Sequence, residues 1–291
     1  MNKIGKRTFR GSAGFVAAFA AGALTLGIAP VATAAGVAEP EGYQVKLRLD
    51  DSVLDGSGNL TAEAAGYFGI PEAAGNADAP ETEQSVYVDS KDSALGSKGW
   101  TARLRHKAGD DEYDLTFKYR QDLSDNTLSQ DSIDEALAKA KDADFDSSDD
   151  NYEPQVNASY ATSTLDFSNK KSAECVSDDC AIPSGEKAVE LLDEKLPGKL
   201  EKQTGGTLED AGATASQVVT QRTWPVTVDG TEAELEVTAM SGGYFVEITT
   251  ELAGRGDAAD ARADLIEALD DEAILRHSDA FKTQLVLDGT L

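Results

Sequence analysis

The chain has 291 residues and a formal net charge of −27 at pH 7, with 26 Lys and Arg against 53 Asp and Glu. A chain this acidic repels the phosphate backbone of nucleic acids and the anionic surface of membranes, so neither is expected as a general partner. Its length suits one β-rich domain or two small ones.

The N-terminal segment has the composition of an export signal. Basic residues from Lys3 to Arg10 precede a run of small apolar residues, and Ala32-Thr33-Ala34 supplies a small-residue cleavage motif. Gly and Pro interrupt the apolar run and no Cys directly follows it, which favours a removed signal over a membrane or lipid anchor. We therefore expect residues 1–35 to be a signal peptide and residues 36–291 to be a secreted domain with no membrane anchor after signal removal.

Alternation of polar and apolar residues predicts a series of strands, interrupted by helices with a period of 3.6. In chain order the pattern predicts a strand at 43–50, a short helix or turn at 60–68, strands near 83–89, 99–107 and 112–120, a helix at 129–141, a strand at 155–167, a helix that begins after Ser184, strands at 217–228, 231–240 and 243–252, a helix at 257–269 and a closing strand at 282–288.

Cations occupy alternate positions in two of these strands. Arg103, Arg105 and Lys107 share one face of the first, and Lys118 and Arg120 share one face of the second. Arg binds phosphate oxygens bidentately and Lys adds a point charge, so such a face predicts an oxyanion site. Strands with one aliphatic and one charged face suit a barrel with a polar lumen. We therefore predict an α+β fold, an antiparallel eight-stranded β-barrel with peripheral helices.

Several short motifs fall in a consistent order along the chain. They are Lys46-Leu47-Arg48, Tyr87-Val88-Asp89-Ser90 followed by Leu95 and Gly99, Arg103-Leu104-Arg105, Leu115-Thr116-Phe117-Lys118, the strand Gly243–Ile248, and Lys282-Thr283. With these motifs the chain resembles the CYTH superfamily, the triphosphate tunnel enzymes, over about residues 43–288.

The resemblance implies that inward cations hold the phosphates of a phosphorylated small anion or polyphosphate. The expected phosphate-binding residues are Lys46, Arg48, Arg103, Arg105, Lys118, Arg222 and Lys282. The alternative is that these side chains only balance the chain's own carboxylates.

The resemblance also implies inward carboxylates that hold Mg²⁺ or Mn²⁺. Here the chain departs from the family, because the two first-strand acids would fall at Gly42 and Gln44, and one acid of the second-half pair is replaced by Thr249. The remaining candidate metal ligands are Glu234, Glu236, Glu247 and Glu251. Two functions therefore stay open: metal-dependent hydrolysis of triphosphate, and a non-catalytic anion-binding or structural barrel that has lost its metal site.

The two cysteines of the chain, Cys175 and Cys180, are expected to form a small-loop disulfide in an exported protein. No His lies near them in sequence, which makes a zinc site a poor prediction. A redox-active pair is the alternative.

An acidic segment after the helix at 129–141 has the oxygen spacing of a calcium loop. Positions 1, 3, 5, 7, 9 and 12 would be Asp142, Asp144, Asp146, Ser148, Asp150 and Glu153. Position 6 is Ser147 rather than Gly, and position 8 is Asp149 rather than an aliphatic residue. A solvated acidic linker explains the segment equally well.

Overall fold

The computed structural model describes residues 39–71, 80–145 and 151–289. The predicted signal peptide, residues 1–35, lies outside these ranges, as do Asp146, Ser148 and Asp150 of the predicted calcium loop. Within the described ranges no helix is both long and apolar enough to cross a membrane.

Ten strands account for most of the regular structure. They are β1 (Gly42–Leu49), β2 (Glu81–Ser90), β3 (Trp100–Lys107), β4 (Glu112–Asp122), β5 (Glu153–Ala158), β6 (Ser163–Glu174), β7 (Ala213–Ala215), β8 (Val219–Val228), β9 (Thr231–Met240) and β10 (Gly243–Leu252). The α-helices are α1 (Ala62–Tyr67), α2 (Gln130–Asp142), α3 (Glu186–Asp193), α4 (Gly198–Thr204), α5 (Arg255–Asp271) and α6 (Lys282–Asp288).

The strands form one sheet that closes on itself. Its order is β3-β4-β6-β5-β1-β10-β9-β8-β2, and a pairing of β2 with β3 completes the ring, with β7 added beside β2. β1 and β5 run parallel, whereas the other pairs are antiparallel. The predicted α+β class and the closed sheet are confirmed, but the ring contains nine strands rather than eight.

Two segments differ from the predicted elements. Residues 155–167 form parts of two strands, because the chain turns back at 159–162, where the Ser159 amide donates to the Thr162 carbonyl over 2.8 Å. The predicted closing strand at 282–288 is instead the helix α6. Since β2 and β3 already close the ring, this segment has no open ring edge to join, and it buries Val286 against Tyr87 and Val219.

The tyrosine-aspartate motif of β2 shapes the loop that leads into β3. The Asp89 carboxylate accepts hydrogen bonds from the backbone amides of Ser90, Leu95 and Gly96 at 2.7–2.9 Å. Gly99 then adopts φ +79°, and a Cβ there would lie 2.7 Å from the Arg120 carbonyl oxygen, so glycine is required. This loop fixes where β3 begins and therefore which of its side chains face inward.

The helices and loops cover the outside of the ring. The outward apolar side chains of the strands pack against them in two main clusters, one around Trp100, Phe117 and Ile133 and one around Leu47 and Leu265. With the apolar faces turned outward into these clusters, the polar faces of the strands point into the ring.

The predicted disulfide is confirmed, since Cys175 and Cys180 are bonded to each other in the loop after β6. Two of the three described acids of the predicted calcium loop form ion pairs with the chain's own lysines. Lys202 Nζ lies 2.7 Å from Asp144 Oδ2, and Lys170 Nζ lies 2.5 Å from Glu153 Oε2. Calcium binding by this segment stays a prediction.

Candidate functional site

The inside of the ring encloses a cavity of about 780 Å³, which falls in the size range of small-molecule sites. Its lining contains ten Lys or Arg and ten Asp or Glu, whereas the whole chain has about twice as many acids as bases. The cations are Lys46, Arg48, Arg103, Arg105, Lys107, Lys118, Arg120, Lys170, Lys171 and Lys282, and the acids are Glu41, Glu81, Glu83, Asp114, Glu153, Glu234, Glu236, Glu247, Glu251 and Asp279. Cations are therefore concentrated inside the ring.

The two kinds of charge occupy different sides of the cavity. Strands β3, β4, β6 and β1 contribute nine of its ten cations, and β2, β9 and β10 contribute six of its ten acids. In the ring order the cationic strands are neighbours, with β5 between β6 and β1, and β10, β9, β8 and β2 complete the circle. The cavity thus has a cationic wall and an acidic wall.

The structure brings six of the seven predicted phosphate-binding cations into this cavity, all except Arg222. Gln221 and Thr223 of β8 line the cavity, so Arg222 between them points to the opposite face. Its guanidinium donates to Asn59 Oδ1 at 3.2 Å and to the Gly58 carbonyl. Arg222 therefore anchors a loop outside the cavity and does not belong to the cationic wall.

Some cations of the wall are already paired with the protein's own carboxylates. Arg105 contacts Glu83 at 3.3 Å and Asp114 at 2.8 Å. Lys118 Nζ and Arg120 Nε each lie 3.1 Å from an oxygen of Asp166. Only part of the charge of these three cations is left for a ligand.

Asp166 is a fully buried residue that the sequence analysis did not identify. Burial alone would raise the pKa of its carboxyl, but the charges of Lys118 and Arg120 lower that pKa to about 2. Thr164 also donates a hydrogen bond to it, at 2.9 Å. The single strand that the sequence predicts over residues 155–167 conceals the inward alternation of Thr164, Asp166 and Ser168, because β6 begins only after the turn at 159–162. Asp166 orients two cations of the wall.

Arg103 and Lys46 have no such partner. The hydrogen bond of Arg103 is a long one, 3.5 Å to Thr116 Oγ1, and neither cation forms an ion pair within the described parts of the chain. Both side chains line the cavity. Arg103 therefore presents its positive charge to whatever enters the cavity, and Lys46 presents a charge that also acts on Glu236.

On the acidic wall, Glu236 and Glu247 face each other across β9 and β10, and a lysine already lies between them. Lys282 Nζ is 2.9 Å from Glu236 Oε2, 2.9 Å from Glu247 Oε1 and 2.6 Å from Gln221 Oε1. Burial would lower the pKa of this lysine, but the two carboxylates raise it above its ordinary value. Burial would likewise raise the pKa of Glu236, and the charges of Lys282 and Lys46 lower it to about 2.

Glu234 and Glu251 form no ion pair within the described ranges. Burial and the nearby charges of Glu236, Glu251 and Glu81 raise the pKa of Glu234. Glu251 accepts a hydrogen bond of 3.2 Å from the side chain of Gln44, the residue opposite it on β1. The charge of Lys107 lowers the pKa of Glu234 in part, so this end of the acidic wall carries negative charge that the protein only partly offsets.

The four predicted metal ligands thus fall into two pairs. Glu236 and Glu247 hold the ammonium of Lys282 where a metal ion would otherwise balance their charge. Glu234 and Glu251, with Glu81 beside them, offer carboxylate oxygens without a cation, which is the donor type that Mg²⁺ and Mn²⁺ prefer. Among the described residues, the ligand atoms of these three acids do not all lie within 4.8 Å of one another, so the acids offer the donor type for a divalent cation without forming a closed ligand set.

No family model matches the chain, and no curated protein matches it. Solved structures of similar fold include a protein of Hippeastrum named as a candidate adenylyl cyclase with a dominant triphosphatase activity, with 13% identity over 85% of this chain and 96% of the other and a TM-score of 0.47. A protein of Bacillus halodurans named as a candidate adenylate cyclase has 12% identity over 84% and 96% and a TM-score of 0.48. The PH1012 protein of Pyrococcus horikoshii has 13% identity over 84% and 99% and a TM-score of 0.40.

Proposed function

We propose that the ring binds a linear polyphosphate anion, such as tripolyphosphate or the triphosphate group of an organic molecule, together with Mg²⁺ or Mn²⁺. The observation that carries this proposal is the pair of unneutralised walls. Within the described residues, Arg103 and Lys46 form no ion pair on one side of the cavity, and Glu234 forms none on the other, although the charge of Lys107 acts on it from a distance. A phosphate chain that carries a divalent cation supplies the missing charge to both walls at once.

In this arrangement Arg103 and Lys46 bind non-bridging phosphate oxygens. Around these oxygens lie three further cations whose charge the protein's own carboxylates already neutralise in part, namely Arg105, Lys118 and Arg120. Glu234 and Glu251 hold the metal ion, which when bound would balance negative charge on the phosphate oxygens. The cationic wall would stabilise the negative charge that is spread over the equatorial oxygens of the transferred phosphoryl group and develops on the leaving oxygen in the transition state of hydrolysis. We therefore propose slow, metal-dependent hydrolysis of the anion.

The second candidate is a binding protein that does not hydrolyse its ligand. It is favoured by Lys282, which occupies the Glu236–Glu247 pair, and by the absence of acids at positions 42 and 44. A protein in which only Glu234 and Glu251 are available holds fewer ligands for a metal ion. Its cations would still bind the anion, but metal-dependent hydrolysis would be weak or absent.

Release of inorganic phosphate from tripolyphosphate, with and without Mg²⁺ or Mn²⁺, separates the two candidates. Metal-dependent release that the Glu234→Gln variant loses supports hydrolysis at this site. Binding without release supports the non-catalytic alternative. Neither binding nor release would reject both candidates.

We also propose that the protein is exported, with residues 1–35 as its signal peptide and residues 36–291 as the mature domain. The Cys175–Cys180 disulfide is compatible with an oxidising compartment. N-terminal sequencing of protein recovered from the culture medium tests this proposal. It predicts a mature chain that begins near residue 36, and a chain that begins at Met1 would contradict it.

A further inference from the structure

We propose that Cys175, Cys180 and His106 form a metal site of the zinc type when the disulfide is reduced. One ligand atom of each residue lies within 4.8 Å of the others. His106 is distant from the cysteines in sequence, so the sequence alone does not predict a zinc site. In the folded chain the three residues are close together, because the loop after β6 lies beside the end of β3 that carries His106.

The site is separate from the cavity inside the ring. Arg105 and Lys107 on either side of His106 line the cavity, so His106 points outward on the pleated strand. The ligand set is also of another kind, because thiolate and imidazole suit zinc, whereas the carboxylates of the cavity suit Mg²⁺ or Mn²⁺. A metal ion bound here would not compete with one bound at Glu234.

A buried tyrosine holds the cysteine loop in place independently of the S–S bond. The hydroxyl of Tyr113, which is 0% exposed, donates to the Ala181 carbonyl at 2.8 Å and accepts from the Val176 amide at 3.4 Å. Val176 directly follows Cys175 in the chain, and Ala181 directly follows Cys180. The ring of His106 packs edge-on against the ring of Tyr113, with the ring centroids 5.8 Å apart. Both thiols would therefore stay near the imidazole after reduction.

The backbone around the site also suits the reduced form. His106 Nε2 lies 3.0 Å from the Asp110 carbonyl oxygen, and a proton donated there leaves a lone pair on Nδ1. In metal-bound histidines, a hydrogen bond from the ring nitrogen that does not bind the metal fixes the tautomer in this way. Cys175 Sγ lies 3.0 Å from the Asp111 carbonyl oxygen, an acceptor that a free thiol can use and a disulfide sulfur cannot.

The chemistry requires a reductant, which we take to be a dithiol. Its two thiols transfer two electrons and two protons to the Cys175–Cys180 bond, which gives two cysteine thiols and the oxidised cyclic disulfide of the reductant. Zn²⁺ then displaces the two thiol protons and binds two thiolates and one imidazole, with its fourth position left to water. Metal binding and the disulfide exclude each other.

Titration of the reduced full chain with Zn²⁺, with a phosphine as reductant so that no external thiol competes, tests the site. We expect one tightly bound Zn²⁺ per chain and an affinity at least about tenfold lower in His106→Ala, because one of three protein ligands is lost. The oxidised protein and the Cys175→Ser/Cys180→Ser variant serve as controls for binding by surface carboxylates.

A second measurement follows the disulfide itself. Zn²⁺ at 100 times its dissociation constant should shift the thiol–disulfide equilibrium about 100-fold toward the thiols, or about 60 mV in reduction potential. Equal Zn²⁺ affinity of the reduced and oxidised proteins, or an unchanged affinity in His106→Ala, would overturn the proposal. So would loss of the circular dichroism of the folded sheet on reduction, since the site needs the folded ring.

Discussion

In the proposed function, Arg103 should contribute most to anion binding, because it lines the cavity and forms no ion pair among the described residues. We expect Arg103→Ala to weaken tripolyphosphate binding by about 2–5 kcal/mol, since a desolvated charge opposite phosphate would be lost. Calorimetric titration measures the change. Arg222→Ala is the matched control, because it removes an arginine that points out of the ring, and equal losses of affinity in the two variants would contradict the assignment.

Gln44 is the residue at which a single change should strengthen metal binding. It lies opposite Glu251 on the neighbouring strand and donates a hydrogen bond to it. Gln44→Glu would add a carboxylate to the Glu234–Glu251 end, so we expect Mn²⁺ affinity to rise about tenfold, or ~1.4 kcal/mol, and phosphate release to increase. Titration with Mn²⁺ and a phosphate assay test both effects.

Gly42→Glu also tests whether an added carboxylate strengthens metal binding. Gly42 lies two residues before Gln44 on β1 and therefore on the same inward face. A Cβ at Gly42 meets no atom closer than 3.7 Å, so a side chain can begin at this position without a clash at its first atom. Lower Mn²⁺ affinity in both variants than in the unmodified protein would contradict placement of the metal beside Glu251.

Metal binding should also depend on the protonation of Glu234. Burial and its acidic neighbours raise the pKa of Glu234, so this carboxyl takes up a proton at a higher pH than an ordinary glutamate. A metal ion must displace that proton, so Mn²⁺ affinity should fall as the pH drops through the raised pKa. The Glu234→Gln variant should bind more weakly and lose this pH dependence. A wild-type affinity with the same pH dependence as the Glu234→Gln variant would contradict the role of Glu234.

Among the elements, α6 connects the acidic wall to the C-terminal part of the chain, because Lys282 at its start is buried between Glu236 and Glu247. Lys282→Met would leave two buried carboxylates without a cation. We expect a loss of about 3–5 kcal/mol in unfolding free energy at pH 7, measured by urea denaturation. Without the lysine, burial and mutual repulsion would raise the pKa of these carboxyls, so the loss should shrink as the pH falls and they become protonated.

The control for this change is Lys187→Met. Lys187 forms an exposed ion pair with Glu190 at 2.9 Å on α3. Solvent screens an exposed pair, which therefore contributes little to stability, so this variant should remain close to the unmodified protein. A similar stability for the two variants would show that Lys282 does not balance the acidic wall.

The elements differ in how far the sequence could predict them. The alternation of Arg103 and Arg105 correctly indicated a strand with an inward cationic face, because a period of two is a local property. The segment 282–288 was wrongly predicted as a strand, since its apolar residues fit either structure and the closure of the ring by β2 and β3 is not visible locally. The pairing of Lys282 with Glu236 and Glu247, and the approach of His106 to the disulfide, depend on contacts between distant segments.

For the molecule as a whole, the buried ion pairs predict sensitivity to acid. The pKa of Asp166 is about 2 in the folded chain against 3.8 ordinarily, so its stabilising effect is complete above about pH 4 and is lost as the pH falls toward 2. This single group should account for about 2 kcal/mol of unfolding free energy. Urea denaturation from pH 6 to pH 2 measures it, and an Asp166→Asn variant with the same slope over that range would contradict the assignment.

The central claim is that a polyphosphate anion and a divalent cation bind together inside the ring. Calorimetric titration of the unmodified protein with tripolyphosphate at low salt, with and without Mn²⁺, tests it most directly. The account predicts saturable binding of one anion per chain that Mn²⁺ tightens and that added salt weakens, because the attraction is ionic. No saturation under either condition, or binding that neither Mn²⁺ nor salt alters, would contradict it.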